Sequence, residues 1–107
     1  MRPIVKVVQP SGIFDATKAS QFRREVSDII EAGADIILID FQSVNFMDSS
    51  GLGSLVVALK TVRASGRKLF ICSINEQIKT LFELTSMDRV FKSFTDQSEF
   101  ARTVLNS

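Results

Sequence analysis

Apolar and polar residues change their spacing several times along the chain, and each change predicts an element. Ile4, Val5, Val7 and Val8 surround Lys6 and run into Pro10-Ser11-Gly12, which reads as a strand ending in a turn. Ala19, Phe22, Val26, Ile29 and Ile30 then recur at helical spacing opposite Arg23, Arg24, Asp28 and Glu31. Asp15 and Thr17 are candidate caps for this helix and Gly33 its stop. Residues 35–41 are nearly all apolar and too few for a typical helix, as expected of a strand covered on both faces in a largely parallel sheet. A polar connection, 42–45, leads to Phe46-Met47-Asp48-Ser49-Ser50-Gly51-Leu52-Gly53, a small polar loop that opens into a second helix. Leu52, Leu55, Val56, Leu59 and Val62 mark its buried stripe, and Ser49 or Ser50 is its natural N-cap.

After a glycine stop at Gly66, residues 68–74 give another apolar strand, and Asn75 caps a short helix with Ile78, Leu81 and Phe82 inward. Residues 90–94 alternate like a half-buried edge strand, and Asp96 or Ser98 caps a last helix carrying Phe100, Ala101, Val104 and Leu105. Successive βαβ units make this one α/β domain over residues 1–107, with about four mostly parallel strands alternating with four helices. The end of the buried strand is the usual place for a site in such sheets, which puts the serine loop there.

Composition narrows the chemistry. The 13 Lys and Arg against 12 Asp and Glu leave a net charge of +1, without the basic footprint of a nucleic-acid binder. The longest apolar run is far too short to span a bilayer and no secretory signal is evident, so the expectation is a cytoplasmic protein with no membrane partner. Cys72 is the only cysteine and histidine is absent. A disulfide framework, a zinc site and Ser-His-Asp or Cys-His catalysis therefore lack their residues, and neither a metal, a cofactor nor a catalytic residue is expected. Cys72 and the nine phenylalanines read as core. Asp40 reads as a strand-end residue bonding to a turn.

The loop itself is redundant for a cap, since one of Asp48, Ser49 and Ser50 would suffice. Gly51 and Gly53 each cost about 1 kcal/mol relative to Ala inside a helix, which implies that a backbone or a partner approaches closely. The P-loop lysine is missing after Gly51-Leu52-Gly53-Ser54. A phosphoryl group on the serine, at about −1.5 to −2 charges, would make a reversible interaction switch at a helix N-terminus.

The segment Asn45-Phe46-Met47-Asp48-Ser49-Ser50-Gly51-Leu52-Gly53 resembles the phosphorylation loop of the STAS domain, specifically of bacterial anti-sigma factor antagonists. Gly12-Ile13-Phe14-Asp15, Leu69-Phe70-Ile71-Cys72-Ser73-Ile74 and Ile78-Lys79-Thr80-Leu81-Phe82 extend the likeness over nearly the whole chain. The resemblance implies a STAS-like fold with no catalytic activity of its own. It implies Ser49 as the residue phosphorylated by an anti-sigma factor that is also a serine-protein kinase, to which ATP and magnesium belong. It further implies a serine phosphatase as resetting partner, and Asp15, Asp48, Ser50, Gly51, Leu52 and Gly53 at the partner-binding surface. A constitutive STAS scaffold or sensor-complex subunit, and a ligand-binding or hydrolytic module, are the alternatives. The family commonly carries a further strand ahead of residues 4–8, so an exposed sheet edge and a homodimer through it are also expected.

Overall fold

The computed structural model describes residues 2–106. Its main sheet has four parallel strands in the order β1 (Val5–Val8), β3 (Ile36–Asp40), β5 (Lys68–Cys72) and β6 (Ser93–Phe94). A second, two-stranded parallel ribbon pairs β2 (Ser11–Phe14) with β4 (Ser43–Met47). Helices α1 (Ala19–Glu31), α2 (Ser49–Ala64), α3 (Glu76–Leu84) and α4 (Gln97–Phe100) alternate with the strands, and a π-helical turn, Ala101–Leu105, continues α4.

The periodicities explain most of this. All five residues of β3 are buried, because Ile37 and Ile39 face one layer while Ile36 and Leu38 face the other. On the first face Phe22 and Val26 of α1, Leu55, Leu59 and Val62 of α2, and Ile78 and Phe82 of α3 close the larger core. On the second, Phe70, Phe94 and Phe100 stand in mutual contact with centroids 5.6–5.9 Å apart, sealing the sheet beneath the C-terminal helix. Cys72 belongs to this second core, where burial pushes its thiol up to about 11 and leaves it protonated at neutral pH. The expected caps are present at Asn75, whose Oδ1 accepts from Ile78 N at 2.9 Å, and at Asp96, whose Oδ1 accepts from Glu99 N at 2.8 Å.

The ribbon is the main departure from the sequence reading. Residues 11–12 and 43–45, expected as turn and connection, lie in two strands whose partners stand more than thirty residues apart in sequence (Ser11 with Ser43, Phe14 with Met47) and which extend the sheet ends toward the serine loop. The edge strand expected over 90–94 is reduced to Ser93–Phe94, because a 3₁₀ turn, Met87–Arg89, occupies the approach. As expected, β1 lies at the sheet edge, with no strand on its outer side among the described residues. That edge is only four residues long and carries Lys6, with Pro3 before it and Pro10 after, features that discourage pairing with another chain.

Candidate functional site

The two ribbon strands end alike. Phe14 and Met47 pair in register, so the next residues, Asp15 and Asp48, leave adjacent strand ends, and each caps the helical turn that begins after it. Asp15 Oδ1 accepts from Thr17 N at 3.0 Å and also from the Thr17 hydroxyl, starting the 3₁₀ turn Ala16–Lys18. The Thr17 hydroxyl bond, helped by the Thr17 N–H and the nearby Lys18 charge, holds the Asp15 carboxyl below its ordinary range against the opposing effect of desolvation. Asp48 Oδ1 accepts from Gly51 N at 2.9 Å, and its carbonyl receives Leu52 N at 3.0 Å. Asp48 is thus the N-cap of α2, in place of Ser49 or Ser50. A carboxylate capping this end also complements the positive pole of the helix. Ser49 and Ser50 are the first two helical residues, both exposed, where backbone N–H groups have no intrahelical partner.

The glycines divide the roles expected of them. A β-carbon on Gly51 would lie 2.0 Å from the Phe14 carbonyl oxygen, so glycine is what lets α2 seat against the end of β2. Gly53 is exposed, and a β-carbon there would meet nothing within 4 Å, leaving its surface open to a visitor. Leu52 points into the core and Gly51 is buried. These two residues shape the turn from inside without reaching the surface; Asp15, Asp48, Ser49, Ser50 and Gly53 are the accessible members.

The loop's backbone is held from the far side by α3. Gln77 uses both halves of its amide on Met47, accepting from Met47 N at 2.8 Å and donating to Met47 O at 2.7 Å, in the manner of a neighbouring strand. Asn75 Nδ2 reaches Val44 O at 3.3 Å and Asn45 O at 3.2 Å. Neither glutamine nor asparagine stood out in sequence as part of the site, since the strand they close was not legible.

A further groove of about 360 Å³ runs between α1 and α2, with Arg23, Val26, Gly53, Val57 and Thr61 on its walls. It starts one turn along α2 from Ser49. Among the described residues no group of three or more Cys, Asp or Glu side chains is arranged to hold a metal, and no helix is long and apolar enough to cross a membrane.

The family model for the STAS domain matches residues 2–101. An anti-sigma-B factor antagonist of Staphylococcus aureus is 28% identical over 80 residues, covering 75% of this chain and 74% of that protein. The Thermotoga maritima protein TM1081 superposes with a TM-score of 0.85 at 28% identity, over 96% of this chain and 88% of the other. The anti-sigma factor antagonist SpoIIAA in its unphosphorylated form shares the fold, with a TM-score of 0.76 at 21% identity over 96% and 90% of the two chains. So does a sulfate transporter family protein of Wolinella succinogenes, with a TM-score of 0.83 at 14% identity over 100% and 93%. With nearly its whole length matched and the fold reproduced, the chain belongs to the STAS domain family.

Proposed function

We propose that this chain is an anti-sigma factor antagonist of the cytoplasm that works by partner switching. Unphosphorylated, it binds an anti-sigma factor that is also a serine kinase; phosphorylated on Ser49, it lets that partner go, and a serine phosphatase restores it. It is not itself an enzyme. The observation that carries the reading is Ser49 itself, an exposed hydroxyl at the first position of α2, next to a capping Asp48 that leaves its strand beside the one that runs into Asp15. The Staphylococcus aureus relative bears the antagonist name, and Bacillus SpoIIAA in its phosphorylated form keeps the same fold, with a TM-score of 0.70 at 21% identity.

The chemistry is consistent with a switch. Transfer forms the Ser49 Oγ–P bond as the bond from the terminal phosphorus of ATP to ADP breaks, the hydroxyl proton leaving to a base of the kinase. The product adds about −1.5 to −2 charges at Ser49. Each unit of that charge is repelled by Asp48, at a separation of about 6 Å, by roughly 0.7–2.8 kcal/mol for effective dielectrics of about 80 to 20, and the helix end returns about 0.3–1 kcal/mol. The fold tolerates that balance. The bound kinase does not, since it holds nucleotide phosphates against the same serine and meets like charge in a desolvated interface.

The test is intact mass and phosphopeptide mapping of protein taken from its native cells, with and without phosphatase, beside Ser49→Ala. One phosphoryl group mapped to Ser49 and absent from the variant is expected. If no condition yields it, or it sits elsewhere, a constitutive STAS scaffold is the better account. A homodimer through the β1 edge, which its shortness, Lys6 and flanking prolines disfavour, is rejected if light scattering at high concentration finds only monomer.

A further inference from the structure

Strand β4 carries a bulge whose effect is to turn one aromatic side chain outward. The register runs Gly12 opposite Val44 and then Ile13 opposite Phe46, so Asn45 is an extra residue without a counterpart. Plain alternation from the buried Val44 would point Phe46 inward and Met47 outward. Instead Met47 is fully buried and Phe46 is 47% exposed, directly across from Ile13, which is 54% exposed. Gly12, with φ +72°, supplies the backbone conformation beside this shift. The other eight phenylalanines are buried or partly buried; Phe46 alone is displayed.

The position matters, because Ile13 and Phe46 immediately precede Phe14-Asp15 and Met47-Asp48-Ser49 on the paired strands. We propose that Phe46 and Ile13 are the apolar anchor of the partner-binding surface, received by an apolar pocket of the kinase that is bordered by an arginine or lysine facing Asp15. This rests on the partner-switching reading above.

Strand addition is closed to any partner here. Lys18 Nζ donates to Ser11 O at 2.7 Å and Ile13 O at 3.1 Å along the β2 edge, while Gln77 and Asn75 occupy the β4 edge. Recognition must therefore use side chains. Charge selects among the remaining occupants. Asp15 and Asp48 border the pair, and the ammonium of Lys18 is committed to backbone carbonyls. A second copy brought face to face would set carboxylates against carboxylates, and an anionic membrane would be repelled in the same way. A protein surface with an apolar centre and a basic rim is attracted on both counts. Exposed aromatics centred in such a surface are where binding energy concentrates.

The test is calorimetric titration of the purified kinase that phosphorylates Ser49, in its ADP form, with the intact chain. Phe46→Ala is expected to weaken binding about tenfold or more, Ile13→Ala less, and Phe46→Leu to recover most of the loss. Leu84→Ala, at an apolar residue 81% exposed on α3, is expected to bind as the parent does. Undiminished affinity of Phe46→Ala, with the parent still phosphorylated on Ser49, overturns the anchor and leaves the switch standing. Absence of Ser49 phosphorylation in the parent overturns the reading beneath both. A homodimer dissociated by Phe46→Ala, with kinase affinity unchanged, assigns the pair to self-contact and overturns the anchor. If Phe46→Ala lowers the unfolding temperature, Ile13→Ser decides by the same criteria.

Discussion

Three strands of this molecule run out at an aspartate, the last residue of β3 and the residue just after β2 and β4, and the structure treats them in two opposite ways. Asp40, at the end of β3, is 1% exposed and is surrounded by donors from its own chain: Gln97 Nε2 at 2.7 Å, Gln42 N at 3.0 Å and Gln9 Nε2 at 3.1 Å. Asp15 and Asp48, at the ends of β2 and β4, each satisfy the start of one turn or helix and keep the rest of their surface for solvent. The residue type and the topological position are the same. What differs is how much of the carboxylate the fold itself consumes. Asp40 joins the ends of β1 and β3 to the C-terminal helix and is used up in doing so; the ribbon pair retains charge that a partner can read.

The largest effect that separates the two regions is therefore expected at Asp40. Asp40→Ala removes the acceptor common to Gln9, Gln42 and Gln97 and should cost about 3 kcal/mol in urea unfolding, since hydrogen bonds to a charged group contribute about 1.5–3 kcal/mol each and the two amides can recover some of that in water. Kinase affinity of the folded fraction should be unchanged. The same contacts fix the pH dependence. Burial raises the Asp40 pKa, but Gln97, Gln9 and the Gln42 N–H together outweigh it and leave it lowered. A carboxyl lowered on folding contributes its full stabilisation above the unfolded-state value and loses it as pH falls through the folded one. Acid titration of stability should accordingly be steeper in the parent than in Asp40→Asn, at pH values below the ordinary carboxylate range. Equal slopes would mean that Asp40 is not held as its geometry implies.

The two glycines of α2 give a smaller and two-signed effect. Gly51→Ala forces a β-carbon to within 2.0 Å of the Phe14 carbonyl, and backbone has little room to yield, so a loss of about 2–3 kcal/mol is expected with the α2 start displaced from β2. Gly53→Ala enters open space in an exposed helical position and should stabilise by about 0.5–1 kcal/mol. Thermal unfolding of both variants checks this. If Gly53→Ala also weakens kinase binding, the open surface at Gly53 is occupied by the partner; if it does not, the accessible site ends at Ser50.

Much of the scaffold could be read from spacing, and the reasons are particular. The helices and β3 announce themselves because their burial is set by period: one stripe for α1, α2 and α3, two faces for 36–40. Asn75 was legible as a cap because it stands alone before an apolar helix start, while Asp96 was one of two candidates with Ser98. Asp48, Ser49 and Ser50 are all competent caps, and only the geometry ranks them. The ribbon was not legible at all. Its strands have four and five residues, include Ser, Gly and Asn, find each other over a long sequence separation, and break their alternation at Asn45. Two features hidden by that break were missed with it, the outward Phe46 and the Gln77 clamp on Met47, while the nearness of Asp15 to Asp48 was expected from the family resemblance but not the paired strands that produce it. Ser49 as acceptor came from the resemblance of its neighbours, not from any property of the serine.

The smallest stability effect carries the sharpest test of the difference between the aspartates. Asp48→Ala loses the bond to Gly51 N and should cost about 1 kcal/mol, the usual loss for an N-cap. Asp48→Asn keeps an oxygen for Gly51 N while removing the charge, so its unfolding free energy should stay within about 0.5 kcal/mol of the parent. If the Asp48 carboxylate serves only the helix, as Asp40 serves the sheet, Asp48→Asn will bind the kinase as the parent does. If its charge is read across the interface, Asp48→Asn will bind more weakly at unchanged stability, and the deficit will shrink as salt screens the partner's cation. Denaturation and titration on this one variant thus separate a cap from a recognition charge at the same atom.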